Sequence, residues 1–223
     1  LMPVTTYAVE YADRAEVQAF VKELAAQESF NERELLTVFR HAEYKQNIID
    51  AIMRPAERAL TWAKYQDIFL TERRTVSGIE FMEKNRVALE AAYEAYGVPP
   101  IIVTAIIGVE TMYGKIYGNY RVLDALSTLS FDYPPRSRFF KRELGAFILL
   151  AREEKKMITE FKGSYAGAMG MGQFIPSSFR AYAVYFDGDG FRNIWNNPTD
   201  AIGSVANYLA KHGWQRDKQI TFE

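Results

Sequence analysis

Apolar positions recur at helical spacing along most of the chain. In "DRAEVQAFVKELAAQ", Val17, Phe20, Val21 and Leu24 share one face behind Asp13 as a predicted N-cap. "NERELLTVFRHAE" repeats the pattern, with Asn31 as cap and Leu35, Leu36 and Phe39 as its apolar face. "NIIDAIM" follows and stops near Pro55, then "LTWAKYQDIF", then one long helix from about Thr75 to Tyr96. Gly97 closes that helix, and "VPP" cannot continue it. Past Pro100 an almost wholly apolar helix runs through "IIVTAIIGVET" and is expected to end at Gly114 and Gly118. "RVLDALSTLS" and "SRFFKRELGAFILLAREEKKM" flank the turn "FDYPPR"; a short helix after Pro176 and a last one, "AIGSVANYLAKHG", complete the set. There is no strong alternation of the kind a strand shows, no repeat and no low-complexity tract. The pattern predicts a mainly α fold in two parts that meet near "YGVPP": a smaller N-terminal helical lobe, residues 1–97, and a second part, residues 98–223.

Composition narrows the classes. The 223 residues are 48% hydrophobic and 25% charged with a formal net charge of -1, an ordinary globular balance without the basic field that draws a protein to nucleic acid. Cysteine is absent, which excludes disulfides, thiolate metal sites and a cysteine nucleophile. The longest apolar run, Val98 to Val109, is too short to cross a bilayer. His41 and His212 form no metal-binding pattern with their neighbours.

The chemistry concentrates in two stretches. Glu110 closes the apolar run, on a helix expected to be buried on most sides. Desolvation there raises a carboxyl pKa and keeps the acid protonated, as a general acid requires. A structural glutamate, hydrogen-bonded to a buried amide or paired with an arginine, fits the same position. Gly108 and Gly114 favour function, because they let other backbone or a ligand come close. The second stretch, "KGSYAGAMGMGQFIPSS", is rich in glycine and small residues and offers Ser164 and Gln173 to a polar substrate. A tight helix crossing is the alternative there. No Gly-Lys-Ser/Thr ending marks a phosphate loop.

"GVETMYG", "FDYPPRSRFF", "KGSYAGAMGMGQFIPSS", "DGDG" with its following tryptophan, and "AIGSVANYLAKHGW" together resemble, in order, the lytic murein transglycosylase B family (glycoside hydrolase family 103). The resemblance covers the chain from about Tyr65 onward. It implies a lysozyme-like catalytic core at residues 98–223 and a periplasmic, peptidoglycan-cleaving lyase of Gram-negative bacteria, with an outer-membrane lipid anchor on the precursor as one form. It also implies cleavage of the MurNAc-GlcNAc β-1,4 bond with formation of 1,6-anhydro-MurNAc ends, Glu110 acting first as acid and then as base. Ser164 matches a family serine that orients the carboxyl or the N-acetyl group, Gln173 a substrate-groove contact, and Tyr208 and Tyr65 substrate-binding family tyrosines near the catalytic glutamate, while Arg136 fits a cationic contact to the peptide or sugar substituents of the glycan. No cofactor is required for catalysis.

Family members can carry an EF-hand-like calcium loop at "YFDGDGFRNIWNN". Asp187 and Asp189 hold its third and fifth positions and Gly190 its turn, but Tyr185 stands where the first acid belongs and Asn196 at the twelfth position, leaving Asp200 to close the site. The match is degraded, and an Asp-Gly turn is the favoured reading. The expected partner is the glycan strand, with the protein a monomer; penicillin-binding proteins are neighbours of many family members, though no residue here points to them. Members continue past the "HGW" segment, so a core truncated at its C-terminus is expected. Two other functions compete: a muramidase using water at the same bond, which lacks a convincing second carboxylate beyond Asp124 and Asp132, and a non-catalytic glycan-binding module.

Overall fold

A computed structural model describes residues 10–54 and 60–218. Its described residues form eleven α-helices and one two-stranded antiparallel sheet of two residues per strand. The mainly α, lysozyme-like prediction holds. Among the described residues no single helix is long and apolar enough to cross a membrane.

The N-terminal helices are α1 (Ala15–Glu28), α2 (Glu32–Arg40) and α3 (Gln46–Met53). Asn31 caps α2 as expected, its side-chain oxygen accepting from the Arg33 and Glu34 amides at 2.9 and 3.4 Å. Asp13 does not cap α1: it lies in a 3-10 turn, and Arg14 takes the cap position without a side-chain bond. The predicted stop at Pro55 lies outside the described residues. Next come α4 (Trp62–Phe69), α5 (Glu72–Lys84) and α6 (Arg86–Tyr96). The single long helix expected here is therefore two. At Asn85, between α5 and α6, φ is -109° and ψ 20°, and the side-chain amide donates to the Phe81 carbonyl at 2.8 Å, in competition with the helix's own amides. Gly97 ends α6 in the left-handed region at φ 71°, as expected.

Helix α7 (Pro100–Thr111) carries Glu110 and stops at Met112, before either glycine. Strands β1 (Tyr120–Arg121) and β2 (Lys162–Gly163) are too short to register as alternation in sequence. Helix α8 (Val122–Phe131) is buried at every position from Val122 to Ser130 and packs along α9 (Ser137–Glu153). Helices α10 (Pro176–Tyr182) and α11 (Pro198–Lys211) are the last two described.

One contiguous apolar cluster runs from Tyr11 to Ala206, so packing crosses the boundary near Gly97. The N-terminal segment is fastened to α8. Tyr11 Oη donates to Asp132 Oδ2 at 2.6 Å, Arg14 Nη1 donates to Asp132 Oδ1 at 2.8 Å, and Phe20, Phe39 and Phe131 meet edge-to-face. Buried Asp124 accepts from Arg121 Nε at 2.7 Å and from the Glu43 amide at 2.9 Å. Both aspartates that a hydrolase would have recruited are occupied in this fastening. At the other end, Trp214 Nε1 donates to the Gly97 carbonyl at 2.9 Å and ties the segment after α11 to the α6–α7 turn.

Candidate active site

With Thr104 its one polar residue before Glu110, α7 offers almost no phase to its periodicity, and the structure supplies one. Val103, Thr104, Ile107, Gly108 and Thr111 face the core, whereas Ile101 (63% exposed), Ala105 and Val109 face outward. The expectation of a helix buried on most sides is thus corrected, and Glu110 itself is exposed. It stands at the wall of a pocket of about 310 Å³, with Ile106, Phe174, Ile175, Val205 and Leu209 as apolar lining. These neighbours remove part of the carboxyl's water, and that desolvation pushes its pKa above the ordinary carboxylate value. The expected shift is present, although its source is the pocket wall and not burial of the whole residue.

Gln173 and Tyr208 line the same pocket. Gln173 has φ 51° and donates its side-chain amide to the Gly170 carbonyl at 3.0 Å, which fixes the carboxamide plane. Tyr208 is held edge-on by Phe174 and Tyr182 and stacks on His212 at 4.0 Å between ring centroids. Thr111, next to the acid, donates its hydroxyl to the Met171 carbonyl at 2.8 Å, so the glycine-rich stretch is bonded directly to the end of α7.

The remaining candidates stand elsewhere. Ser164 is absent from the pocket lining; its hydroxyl accepts from the Ala166 and Ala168 amides at 3.3 and 3.1 Å and shapes the glycine-rich loop. Tyr65 lies on α4 in an aromatic file with Trp62 (6.0 Å) and Phe69 (5.3 Å). Arg136 is exposed over the rings of Phe139 (4.5 Å) and Phe140 (5.3 Å), away from the pocket's residues. A larger groove, about 780 Å³, opens between α1 and α9, but it holds neither Glu110 nor any other predicted site residue.

Sequence reading missed Ser178 in the pocket wall and Glu143, which holds the neighbouring Ser177. Buried Glu143 accepts from the Ser177 amide (3.0 Å) and hydroxyl (2.8 Å), and so anchors the first turn of α10. "IPSS" signalled the helix start, but nothing local marked a partner 34 residues upstream.

Asp187, Asp189 and Asp200 do converge, with carboxylate oxygens within 4.8 Å of one another. Asp200 is buried and accepts from the Phe186, Asp187 and Asn193 amides. Burial nonetheless raises its pKa, the backbone bonds opposing and the charge of Asp187 adding to the rise. Asp187 is held below the ordinary range by the Asp189 amide and Asn197. Three hard oxygen donors fit a hard cation by type, while the Tyr185 phenol at the first position does not.

Residues 12–223 match the family described as Transglycosylase SLT domain. The chain is 40% identical to the membrane-bound lytic murein transglycosylase B of Escherichia coli K12, over 95% of this chain and 61% of that protein. It thus spans about three fifths of that curated relative's length. Among solved structures it superposes on catenated lytic transglycosylase SltB1 of Pseudomonas aeruginosa with a TM-score of 0.91 and 52% identity, covering 94% of this chain and 69% of that one. The Escherichia coli lytic transglycosylase Slt35 in complex with calcium gives 0.87 and 41%, over 94% and 67%. SltB3 of Pseudomonas aeruginosa in complex with NAG-anhNAM-pentapeptide gives 0.81 and 28%, over 95% and 55%.

Proposed function

Because the chain belongs to the transglycosylase SLT domain family, we propose that it is a lytic transglycosylase of peptidoglycan, cleaving the MurNAc-GlcNAc β-1,4 bond without consuming water. The observation that carries this reading is that Glu110 is the one carboxyl among the described residues lining the pocket. Glycosidases that use water normally place two carboxyl groups across the bond. One is enough when the nucleophile belongs to the substrate. Protonated Glu110 gives its proton to the glycosidic oxygen and the C1–O bond breaks. The carboxylate so formed takes the proton of the muramoyl C6 hydroxyl, whose oxygen bonds to C1 and closes the 1,6-anhydro ring. The acid is regenerated, and one group has served both steps.

Gln173 and Tyr208 are assigned to orienting the sugar in the pocket, and Ser164 to the N-acetyl group, since its hydroxyl accepts from the Ala166 and Ala168 amides and makes no bond to the Glu110 carboxyl. Tyr65 and Arg136 are assigned to more distant parts of the glycan or its peptide. The division into an N-terminal helical lobe (1–97) and a catalytic core (98–223) is retained as a division of labour, since every pocket residue named above follows position 100. The periplasm, with an anchored precursor as one form, suits relatives named as membrane-bound and as soluble. A monomeric state and penicillin-binding proteins as neighbours rest on the family alone.

The test is to incubate the chain and its Glu110→Gln variant with purified peptidoglycan and to weigh the soluble products by mass spectrometry. Anhydromuramoyl ends that vanish in the variant support the proposal. Reducing ends would replace it with hydrolysis, and binding without release would make the protein a glycan-binding module.

Calcium has no step in this chemistry. Asp187, Asp189 and Asp200 would hold it, where it would cross-link the loop before α11. With a phenol in place of one acid, affinity is expected in the weak range of about 10⁻⁴ to 10⁻³ M. Millimolar calcium should then raise the melting temperature, a chelator should reverse the rise, and Asp189→Asn should abolish it. An unchanged melting curve would remove the site.

A further inference from the structure

The Glu110 carboxyl has no hydrogen-bond or ion-pair partner among the described residues, and desolvation alone accounts for its shifted pKa. Its position is therefore set by the backbone that carries it. That backbone is unusual. Directly after Glu110 and Thr111, three consecutive residues lie in the left-handed region: Met112 (φ 51°), Tyr113 (φ 61°) and Gly114 (φ 81°). Two of the three are not glycine, so surrounding contacts must hold them there.

The turn is closed first by its own bonds, the Met112 and Tyr113 amides donating to the Gly108 and Ile107 carbonyls at 3.0 and 3.3 Å and the Gly114 amide to Thr111 Oγ1 at 3.0 Å; one residue of α5 grips it from outside. The Arg74 carbonyl accepts from Tyr113 Oη at 3.0 Å, and the Arg74 guanidinium Nη1 donates to the Gly108 carbonyl. Gly108 and Tyr113 bracket Glu110, so Arg74 grips the helix end on both sides of the acid. The Tyr113 ring fills a slot between Gly78 of α5 and Gly108 of α7; a Cβ at either glycine would stand 2.6 Å from the phenol. Phe81 lies 5.6 Å from the ring, and Phe69 underlies the Arg74 guanidinium at 5.2 Å.

We infer that Arg74 and Tyr113 form the positioning device for Glu110, fixing its carboxyl against the pocket by clamping the left-handed turn behind it. The inference rests on the proposed acid–base role of Glu110. A single carboxyl that must reach both the glycosidic oxygen and the C6 hydroxyl has little tolerance, and a misplacement of about 1 Å costs roughly 100-fold in rate. Arg74 and Tyr113 touch no substrate in this account; they act through the backbone.

Tyr113→Phe keeps the ring and removes only the bond to Arg74. It should lower kcat about 10- to 100-fold, with KM within about twofold, and with melting lowered by only a few degrees. A second pair of variants guards against a simple folding defect. Gly108→Ala should lower melting and activity together, because its methyl meets the Tyr113 ring. Gly108→Ala with Tyr113→Leu relieves that clash, so melting should recover while kcat stays low. Wild-type kcat in Tyr113→Phe, or recovery of both melting and kcat in the double variant, would overturn the inference and leave a merely structural contact. Glu110→Gln is measured alongside. If it stays active, the acid–base reading and this inference both fall; if it is inactive while Tyr113→Phe is fully active, only this inference falls.

Discussion

Glu110→Gln should reduce the rate of peptidoglycan cleavage about a thousand-fold while leaving the affinity for glycan strands nearly unchanged. Glutamine has the same shape, so the pocket of Ile106, Phe174 and Tyr208 keeps its form. What is lost is the proton, and in the proposed reaction it is lost twice, because there one group both protonates the leaving oxygen and deprotonates the C6 hydroxyl. No second carboxyl among the described pocket residues is available to take over either role.

The same variant reports on the pKa. Burial raises the folded-state pKa of Glu110 above its unfolded value, so the folded state holds the proton more tightly. The associated stability is complete below the unfolded carboxylate's pKa and is lost as pH rises through the raised folded value. Glutamine has no such dependence. The melting advantage of Glu110→Gln over the parent should be absent in acid, grow across that window and stay level at neutral pH. A variant equally stable at every pH would mean that the pocket wall does not desolvate the carboxyl. In the parent enzyme, the raised value also extends the acid-competent range, so the alkaline limb of the activity profile should lie above that of an ordinary carboxylate.

Gly118→Ala should cause the largest loss of stability among the single methyl additions considered. Gly118 has φ 85°, and a Cβ there would stand 2.2 Å from the Gly163 carbonyl oxygen and 2.6 Å from its carbon. Backbone cannot swing aside as a side chain can. The left-handed conformation costs an alanine about 1–2 kcal/mol, and forcing atoms into filled space adds about 1–3 kcal/mol. The total of roughly 2–5 kcal/mol corresponds, at about 2–4 °C per kcal/mol for a domain of this size, to a fall of roughly 4–20 °C. Gly188→Ala is the matched control: its φ is 80°, but nothing lies within 4 Å of the added methyl, so only the conformational part remains. Equal falls in the two variants would show that the close approach of residues 118 and 163 contributes nothing. Gly118 follows α7 and Gly163 ends β2, so the same contact sets the glycine-rich loop against the helix of the acid.

How much of this could be read from the chain depends on where each signal is stored. Asn31 and Gly97 announced a helix start and a helix stop, because a cap is satisfied within three or four residues. Glu110, Gln173 and Tyr208 were found as a group because they lie in long local motifs that fold onto one pocket. The break at Asn85 was hidden, since an asparagine inside a helical pattern is tolerated more often than it interrupts one. The exposed face of α7 was hidden for the opposite reason: where nearly every position before Glu110 is apolar, periodicity cannot show which side meets water. Arg74 and Glu143 left no trace, because their partners are 34 to 39 residues away and the pairing exists only in the folded protein.

The fastening of Tyr11 to Asp132 also governs the order in which the molecule can be made. The two residues are 121 positions apart, and Phe20 and Phe39 wait for Phe131 on the same α8. At a ribosomal rate of about 5–20 residues per second, the first helices emerge roughly 6–24 s before the segment that buries them exists. Elementary collapse and helix formation are far faster than that interval. Until α8 follows, the Phe20 and Phe39 rings of α1 and α2 lack the Phe131 ring that closes their cluster. Their half of the core can close only once α8 has followed them.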